Sequence, residues 1–341
     1  MQRNLAYRLL LTLCLAAPTA QADLVVLQYH HVDDATPNAT STSPELFKAQ
    51  LDRIRELGLE VVPLMEGTRQ AMAGDSGEAN QVALTFDDAY ESVYRQAAPL
   101  LEERQLPYTV FVNTDAVGSH GYMSWSQLKE IKASGLATIG NHSADHDHLA
   151  QRPNEPESDW EARIEHSLDA AQQAIESQLG EAPPLFAYPY GEYDERLENR
   201  LAARDWLGFG QHSGAIGPTS GDTRLPRFPM ANAYGKIDSL RDKLLSRAFP
   251  VAASDLPDGV LDQNPPVLSF PVKDPLTASR LTCFASGLGR IEIDNNDGVV
   301  RVQAPKAIDG RRFRYNCTHP AGQGSYYWLS QQWLNLEAPE D

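Results

Sequence analysis

From Leu24 onward the chain alternates short unbroken apolar runs with longer stretches in which apolar residues recur every three or four positions. The runs LVVLQYH (24–30), QVALTF (81–86), YTVFV (108–112), LFAYP (185–189) and WLGFG (206–210) read as strands buried on both faces. Helical spacing fills the gaps between them. Ser43-Pro44-Glu45 opens a first helix that Gly58 closes, and further helices are expected near 90–104, over 126–134, over 159–179 and near 196–204. In the long one, Trp160, Ile164, Leu168, Ala171 and Ile175 share one face, and Gly180 stops it. Such βα alternation predicts an α/β domain over 23–249, with chemistry on the loops that leave the strand C-termini.

The pattern changes after residue 249. PVAASDLPDGVLDQNPP, rich in Pro, Asp and Gly and without periodicity, reads as a linker over 250–266. Residues 267–341 then show short strands separated by turn signals such as Asp297-Gly298 and Asp309-Gly310, which predicts a small β domain.

At the other end, Arg3 and Arg8 precede an apolar run over 9–17 and then Ala20-Gln21-Ala22, which fits a cleavable signal peptide over 1–22 and a secreted or periplasmic protein. The run is too short for a spanning helix, so no transmembrane segment is expected. Cleavage removes Cys14 and leaves Cys283 and Cys317 in an oxidising compartment, where they should form one disulfide. It also removes two arginines and no acids, taking the net charge from −17 to −19. A chain this acidic is a poor partner for nucleic acid or anionic lipid. Residues 267–341 hold eight acids and eight bases, so the negative charge belongs to the α/β part. No signal sets an oligomeric state.

Two clusters carry candidate chemistry. Asp87 and Asp88 follow the apolar strand directly, and adjacent carboxylates repel unless a cation or a proton holds them. Side chains of neighbouring strand residues diverge, so one could bind metal while the other faces substrate; capping the following helix is the competing use. His142 and His146, in GNHSADHDHL, are spaced i, i+4, which a helical turn would place on one face to chelate a single ion. One carboxylate and two imidazoles suit zinc, with nickel or cobalt also compatible, and leave the second Asp as a base.

TFDD (85–88), HSADH (142–146) and YPYG (188–191), in that order, resemble the first three motifs of the polysaccharide deacetylases, carbohydrate esterase family 4. The resemblance covers roughly 23–249, and it implies a distorted (β/α) barrel that removes acetyl groups from a polysaccharide with a divalent metal. By it, Asp87 would be the general base and Asp88, His142 and His146 the metal ligands. In the third motif the Tyr190 backbone N–H would stabilise the oxyanion, with Tyr188 and Pro189 beside the substrate.

The family's third motif usually starts with Arg, and this chain has Ala187 there. Asp205-Trp206 only superficially resembles the fourth motif. The fifth, a Leu-x-His that supplies the general acid, has no good match after Gly210. LQYHHV near the start offers one. The chain is similar to the deacetylases of poly-N-acetylglucosamine, in which the last motif is moved to the front, a shift a barrel tolerates because its first and last strands are neighbours. His30 is then the expected acid, with His31 turned away or packed on a loop. Gln28 stands where the family often has an apolar residue of the acetyl pocket.

Asn113, Asp115, Trp125 and His212 have ordinary structural uses beside any role with sugar. The tail aromatics Tyr326, Tyr327, Trp328 and Trp333 could present a carbohydrate face, with Arg311, Arg312 and Arg314 for anionic glycan, or fill the core of a small domain. The expected function is a metal-dependent deacetylase of an N-acetylglucosamine-containing glycan. An O-acetyl polysaccharide esterase and a non-catalytic glycan-binding protein on the same fold are the alternatives.

Overall fold

A computed structural model describes residues 22–77 and 80–340. The leader read over 1–22 therefore lies, apart from Ala22, outside the described residues. In chain order the α/β part holds β1 (Leu24–Tyr29), β2 (His31–Val32), β3 (Ser41–Thr42), α1 (Pro44–Glu56), β4 (Glu60–Val61), α2 (Leu64–Ala73) and β5 (Gln81–Phe86). There follow α3 (Ala98–Glu103), β6 (Tyr108–Val112), α4 (Trp125–Ala133), β7 (Ala137–Asn141), α5 (Glu157–Leu179), β8 (Leu185–Ala187), α6 (Glu195–Ala202) and β9 (Leu207–Phe209). The part ends with β10 (Ala215–Ile216), β11 (Phe228–Pro229), α7 (Ile237–Leu244) and β12 (Arg247–Ala248).

The strands β1, β5, β6, β7, β8 and β9 lie side by side in parallel. Their side chains are buried almost without exception, as continuous apolar runs require. The sheet curls into a half-barrel. Where its first and last strands approach, the chain from β9 to β11 stitches the seam: Leu225 bridges Phe209, and β11 pairs with β1 through Leu27↔Phe228. All loops from the C-terminal ends of β1, β5, β7 and β8 meet on one rim.

Helix starts follow local chemistry. Ser43 accepts from Leu46 N to cap α1, and Ser124 with Gln127 forms a capping box on α4. The helix expected near 90–104 is divided, with a π-turn over Val93–Ala97 ahead of α3. Short β7 and the helices α2 and α7 have weaker sequence patterns, and packing against the sheet completes them.

The tail forms two antiparallel groups. β13 (Val267–Pro271), β17 (Val299–Gln303) and β16 (Ile293–Asn296) make one. β14 (Thr282–Ala285), β15 (Gly289–Ile291), β18 (Arg312–Gly322) and β19 (Ser325–Leu334) make the other, which recruits β12 alongside β19. Cys283 and Cys317 face each other across β14 and β18 and are joined as a disulfide. The stretch 250–266 contains no strand, yet it is held to the last one, Leu261 N donating to Leu334 O and Leu334 N to Gly259 O. Trp333 and Tyr315 are buried, and Trp328 packs edge-on against Phe228 of the barrel, so most of the tail's aromatic surface is core. Phe284 and Tyr326 are the exposed aromatics of the tail. Among the described residues no helix is long and apolar enough to cross a membrane.

Candidate active site

Asp87 and Asp88 follow β5 at a sharp backbone turn, Asp88 and Ala89 both having positive φ, and their carboxylates meet different partners. Neither caps a helix; the turn at 93–97 has Ser92 at its start and no side-chain cap bond.

Asp87 is fully buried and held on both oxygens. Arg227 donates Nη1 to Oδ1 at 2.7 Å and Nη2 to Oδ2 at 2.8 Å, and Gln28 Nε2 donates to Oδ2 at 2.7 Å. Burial alone would raise this carboxyl. The Arg227 guanidinium, with His142 and His30 in electrostatic range, overrides it and holds the group at about 2. Arg227 is itself wholly buried, with Nε donating to Gly210 O and its guanidinium over the Phe111 ring. It sits on the seam segment between Leu225 and β11, which carries it into the barrel interior. The cation absent at Ala187 thus arrives from a place 40 residues later in the chain. Gln28, where the family often has an apolar residue, is part of the Asp87 mount.

Asp88, His142 and His146 converge, with one ligand atom of each inside a 4.8 Å cluster. Asp88 Oδ1 is 3.5 Å from His142 Nε2 and 3.2 Å from His146 Nε2. The expected helical turn does not bring the two histidines together. Residues 142–148 form a loop in which Ser143 and His146 have positive φ. Ser143 N donates to Asn141 Oδ1, and His146 N donates to Ser143 Oγ. These local turns satisfy the backbone without a helix and fold His146 back over His142.

The donor set fits a cation. His142 Nδ1 lies 2.7 Å from Ala187 O, and a carbonyl can only accept, so Nδ1 carries a proton and Nε2 is the nitrogen turned towards Asp88. Asp88 Oδ1 and His142 Nε2 are both buried and lack a hydrogen-bond partner. A carboxylate oxygen and an imidazole nitrogen facing each other in a buried site need a positive charge between them, a metal ion or a proton, and the carboxylates of Asp88 and Asp87 raise His142 against its burial. Burial pushes His146 down to about 4, which favours the neutral imidazole that coordination requires.

His30, half-buried at the end of β1, lies within electrostatic range of Asp87, Asp88 and His146. His31 packs face-on against Tyr90, ring centres 3.5 Å apart, and its Nδ1 is 3.7 Å from Asp33. Tyr190 stands across the site, its ring 4.7 Å from His146 and stacked on His148 at 4.0 Å. Its backbone is left-handed, φ 58°, and Gly191 follows at φ 70°. Tyr188 does not join it: its side chain is fully buried, and its hydroxyl donates to Thr223 O. Pro189 is buried as well, so these two shape the loop and their side chains offer no surface to a polymer. Trp125 packs on the core at the start of α4, and buried His212 meets Arg224 O and Tyr193. Asn113 is buried at the end of β6, and Asp115 is exposed beyond it.

A curled parallel sheet with an Asp-His-His cluster and a second, arginine-bound aspartate at its C-terminal rim defines a metal-site hydrolase scaffold. The chain belongs to the polysaccharide deacetylase family, whose model matches residues 74–206. It is 30% identical to IcaB from Ammonifex degensii, with a TM-score of 0.55, over 64% of this chain and 94% of that one. It is also similar to the poly-beta-1,6-N-acetyl-D-glucosamine N-deacetylase of Staphylococcus aureus (strain MRSA252), 26% identical over 194 residues, which is 55% of this chain and 67% of the relative. The Streptococcus pyogenes deacetylase PplD, 24% identical with a TM-score of 0.55, shares the fold over 62% of this chain and 94% of its own.

Proposed function

We propose that the protein is a metal-dependent N-deacetylase of an N-acetylglucosamine-containing polysaccharide, acting outside the cytoplasm. The observation that carries this reading is the pairing of a cation-demanding cluster (Asp88, His142, His146) with an adjacent carboxylate that is kept ionised and oriented by Arg227 and Gln28. A binding protein has no use for a base beside such a cluster. The substrate class is supported by the relatives named for poly-beta-1,6-N-acetyl-D-glucosamine. The disulfide and the leader motif support the compartment.

Asp88, His142 and His146 would hold the ion, which we take to be zinc from its two imidazoles and one carboxylate. Bound there, it would polarise the acetyl oxygen and acidify a water. Asp87 accepts a proton from the water that attacks the acetyl carbon. The Tyr190 N–H donates to the oxygen on which negative charge develops. His30 donates a proton to the nitrogen as the C–N bond breaks, which yields acetate and a free amine.

The test is acetate release from a panel of N-acetylated and O-acetylated glycans, with chelator and with zinc, nickel or cobalt restored. Chelator-sensitive release from N-acetylglucosamine polymers is expected. Release from O-acetylated glycans alone would replace the N-deacetylase with an esterase. Glycan binding without release would leave a non-catalytic protein.

A further inference from the structure

Glu192, one residue beyond the Tyr190–Gly191 turn, is completely buried and carries a dense set of donors. Arg311 gives Nε to Oε1 at 2.9 Å and Nη2 to Oε2 at 3.1 Å, Arg312 gives Nη1 to Oε1 at 2.8 Å, and His148 Nδ1 meets Oε2 at 3.0 Å. Burial would push this carboxyl up, but its partners hold it at about 2, so it stays ionised. Both arginines belong to the tail: Arg312 opens β18, and Arg311 precedes it, its carbonyl accepting from Asn335 N just past β19. The Arg312 guanidinium also lies over the Tyr190 ring.

The chain of contacts ends at the active site. His148 is nearly buried, and its ring lies parallel to that of Tyr190, at 3°. Its backbone is pinned from the other side by Arg163 of α5, which donates to His148 O at 2.7 Å. A tyrosine in the left-handed region is strained, and such a conformation persists only when its surroundings over-determine it. Here the stacked His148 ring holds the Tyr190 ring, and what aims the His148 ring is Glu192, anchored by two arginines of the tail.

We propose that the terminal hairpin of the tail is a positioning element of the active site: Arg311, acting through Glu192 and His148, holds the Tyr190 turn so that its N–H faces the developing oxyanion. This rests on the reading of Tyr190 N–H given above. An interaction made only with the transition state should, when loosened, lower kcat and leave KM alone.

The experiment uses the full-length, zinc-loaded mature protein and three variants: Arg311→Lys, Arg311→Gln and His148→Ala. Arg311→Lys keeps the charge and loses the two-point grip on Glu192, so it should fold even if Arg311→Gln does not. In the folded variants kcat should fall about tenfold to a hundredfold, a loss on the scale of one weakened oxyanion donor. KM and metal content should stay within about twofold, and amide exchange in the 188–194 peptide should quicken relative to the rest of the barrel. Arg311→Lys/His148→Ala should be no slower than the worse single variant, since the residues act in series. Unchanged kcat, or a loss that tracks metal content or folded fraction, overturns the proposal. If wild type releases no acetate from any glycan, the function reading fails instead. The exchange measurement then decides on its own: quickened exchange at 188–194 in Arg311→Lys upholds the positioning role, and unchanged exchange refutes it.

Discussion

Arg227 is the residue on which the arrangement of the candidate site most depends. A wholly buried guanidinium paired two-to-two with a wholly buried carboxylate is tolerable only while both are present. Arg227→Met should cost about 3–5 kcal/mol of stability by stranding the Asp87 charge, measurable by urea unfolding; Arg227→Met combined with Asp87→Leu should recover most of that loss. If the double variant is no better than the single, the pair is not the source of the cost. Asp87→Asn, by contrast, keeps hydrogen-bonding capacity and removes the proposed base. Acetate release should drop by at least about a hundredfold while the metal stays bound, whereas Asp88→Ala and His142→Ala should lose it. His30→Ala should lose turnover with the metal retained, and His31→Ala should be mild; the opposite ranking in a steady-state assay would assign the acid to His31.

Among the elements, the turn after β8 and the cap of α6 are the most sensitive. At Gly191 an added Cβ would lie 2.6 Å from Gln211 Cβ and 2.8 Å from Gln211 N, in a left-handed backbone. Gly191→Ala should therefore displace the Tyr190 turn and reduce kcat by about tenfold or more, at a cost of about 1–3 kcal/mol. Asp194 caps α6 by accepting from Leu197 N at 2.8 Å. Burial pushes its carboxyl from 3.8 up to about 6, against the pull of that N–H and with Asp258 adding to the rise. The folded state thus holds this proton more tightly than the unfolded chain. The resulting penalty is absent below about pH 3.8 and complete above about pH 6. Asp194→Asn keeps an acceptor for the cap, so it should gain roughly 2–3 kcal/mol over wild type at pH 7.5 and nothing at pH 3.5. Equal effects at both pH values in urea titrations would contradict the buried-charge argument.

Taken whole, the molecule joins its two parts by structure as well as by chain. β12 pairs with β19, Trp328 packs on Phe228, and the Arg311–Glu192 cluster crosses between them. The disulfide closes a sequence separation of 34 residues within the tail sheet. Its removal as Cys283→Ala/Cys317→Ala should lower stability by about 2–4 kcal/mol through the unfolded chain. Because Arg311 directly precedes a strand of that sheet, the same change should also lower kcat at temperatures where the tail begins to loosen, with metal retained. A loss of metal before any loss of turnover would mean that the tail supports the Asp-His-His cluster instead.

Five of the barrel strands, most helices, the two aspartates and the two histidines were legible along the chain because each depends on neighbours within a few positions: apolar runs, caps, and short motif spacing. His142 and His146 show the limit of that reading, since their spacing suggested a helical turn while side-chain bonds from Asn141 and Ser143 build a loop with the same outcome. Arg227 and Glu192 left no comparable signal, and Gln28 and Arg311 pointed along the chain to other uses. Their meaning comes from partners 44 to 140 residues distant, judged by Arg227 with Asp87 and His148 with Glu192. Periodicity sets what a segment becomes; only closure of the sheet and docking of the tail decide which buried charges meet, because a buried charge is defined by what surrounds it in space.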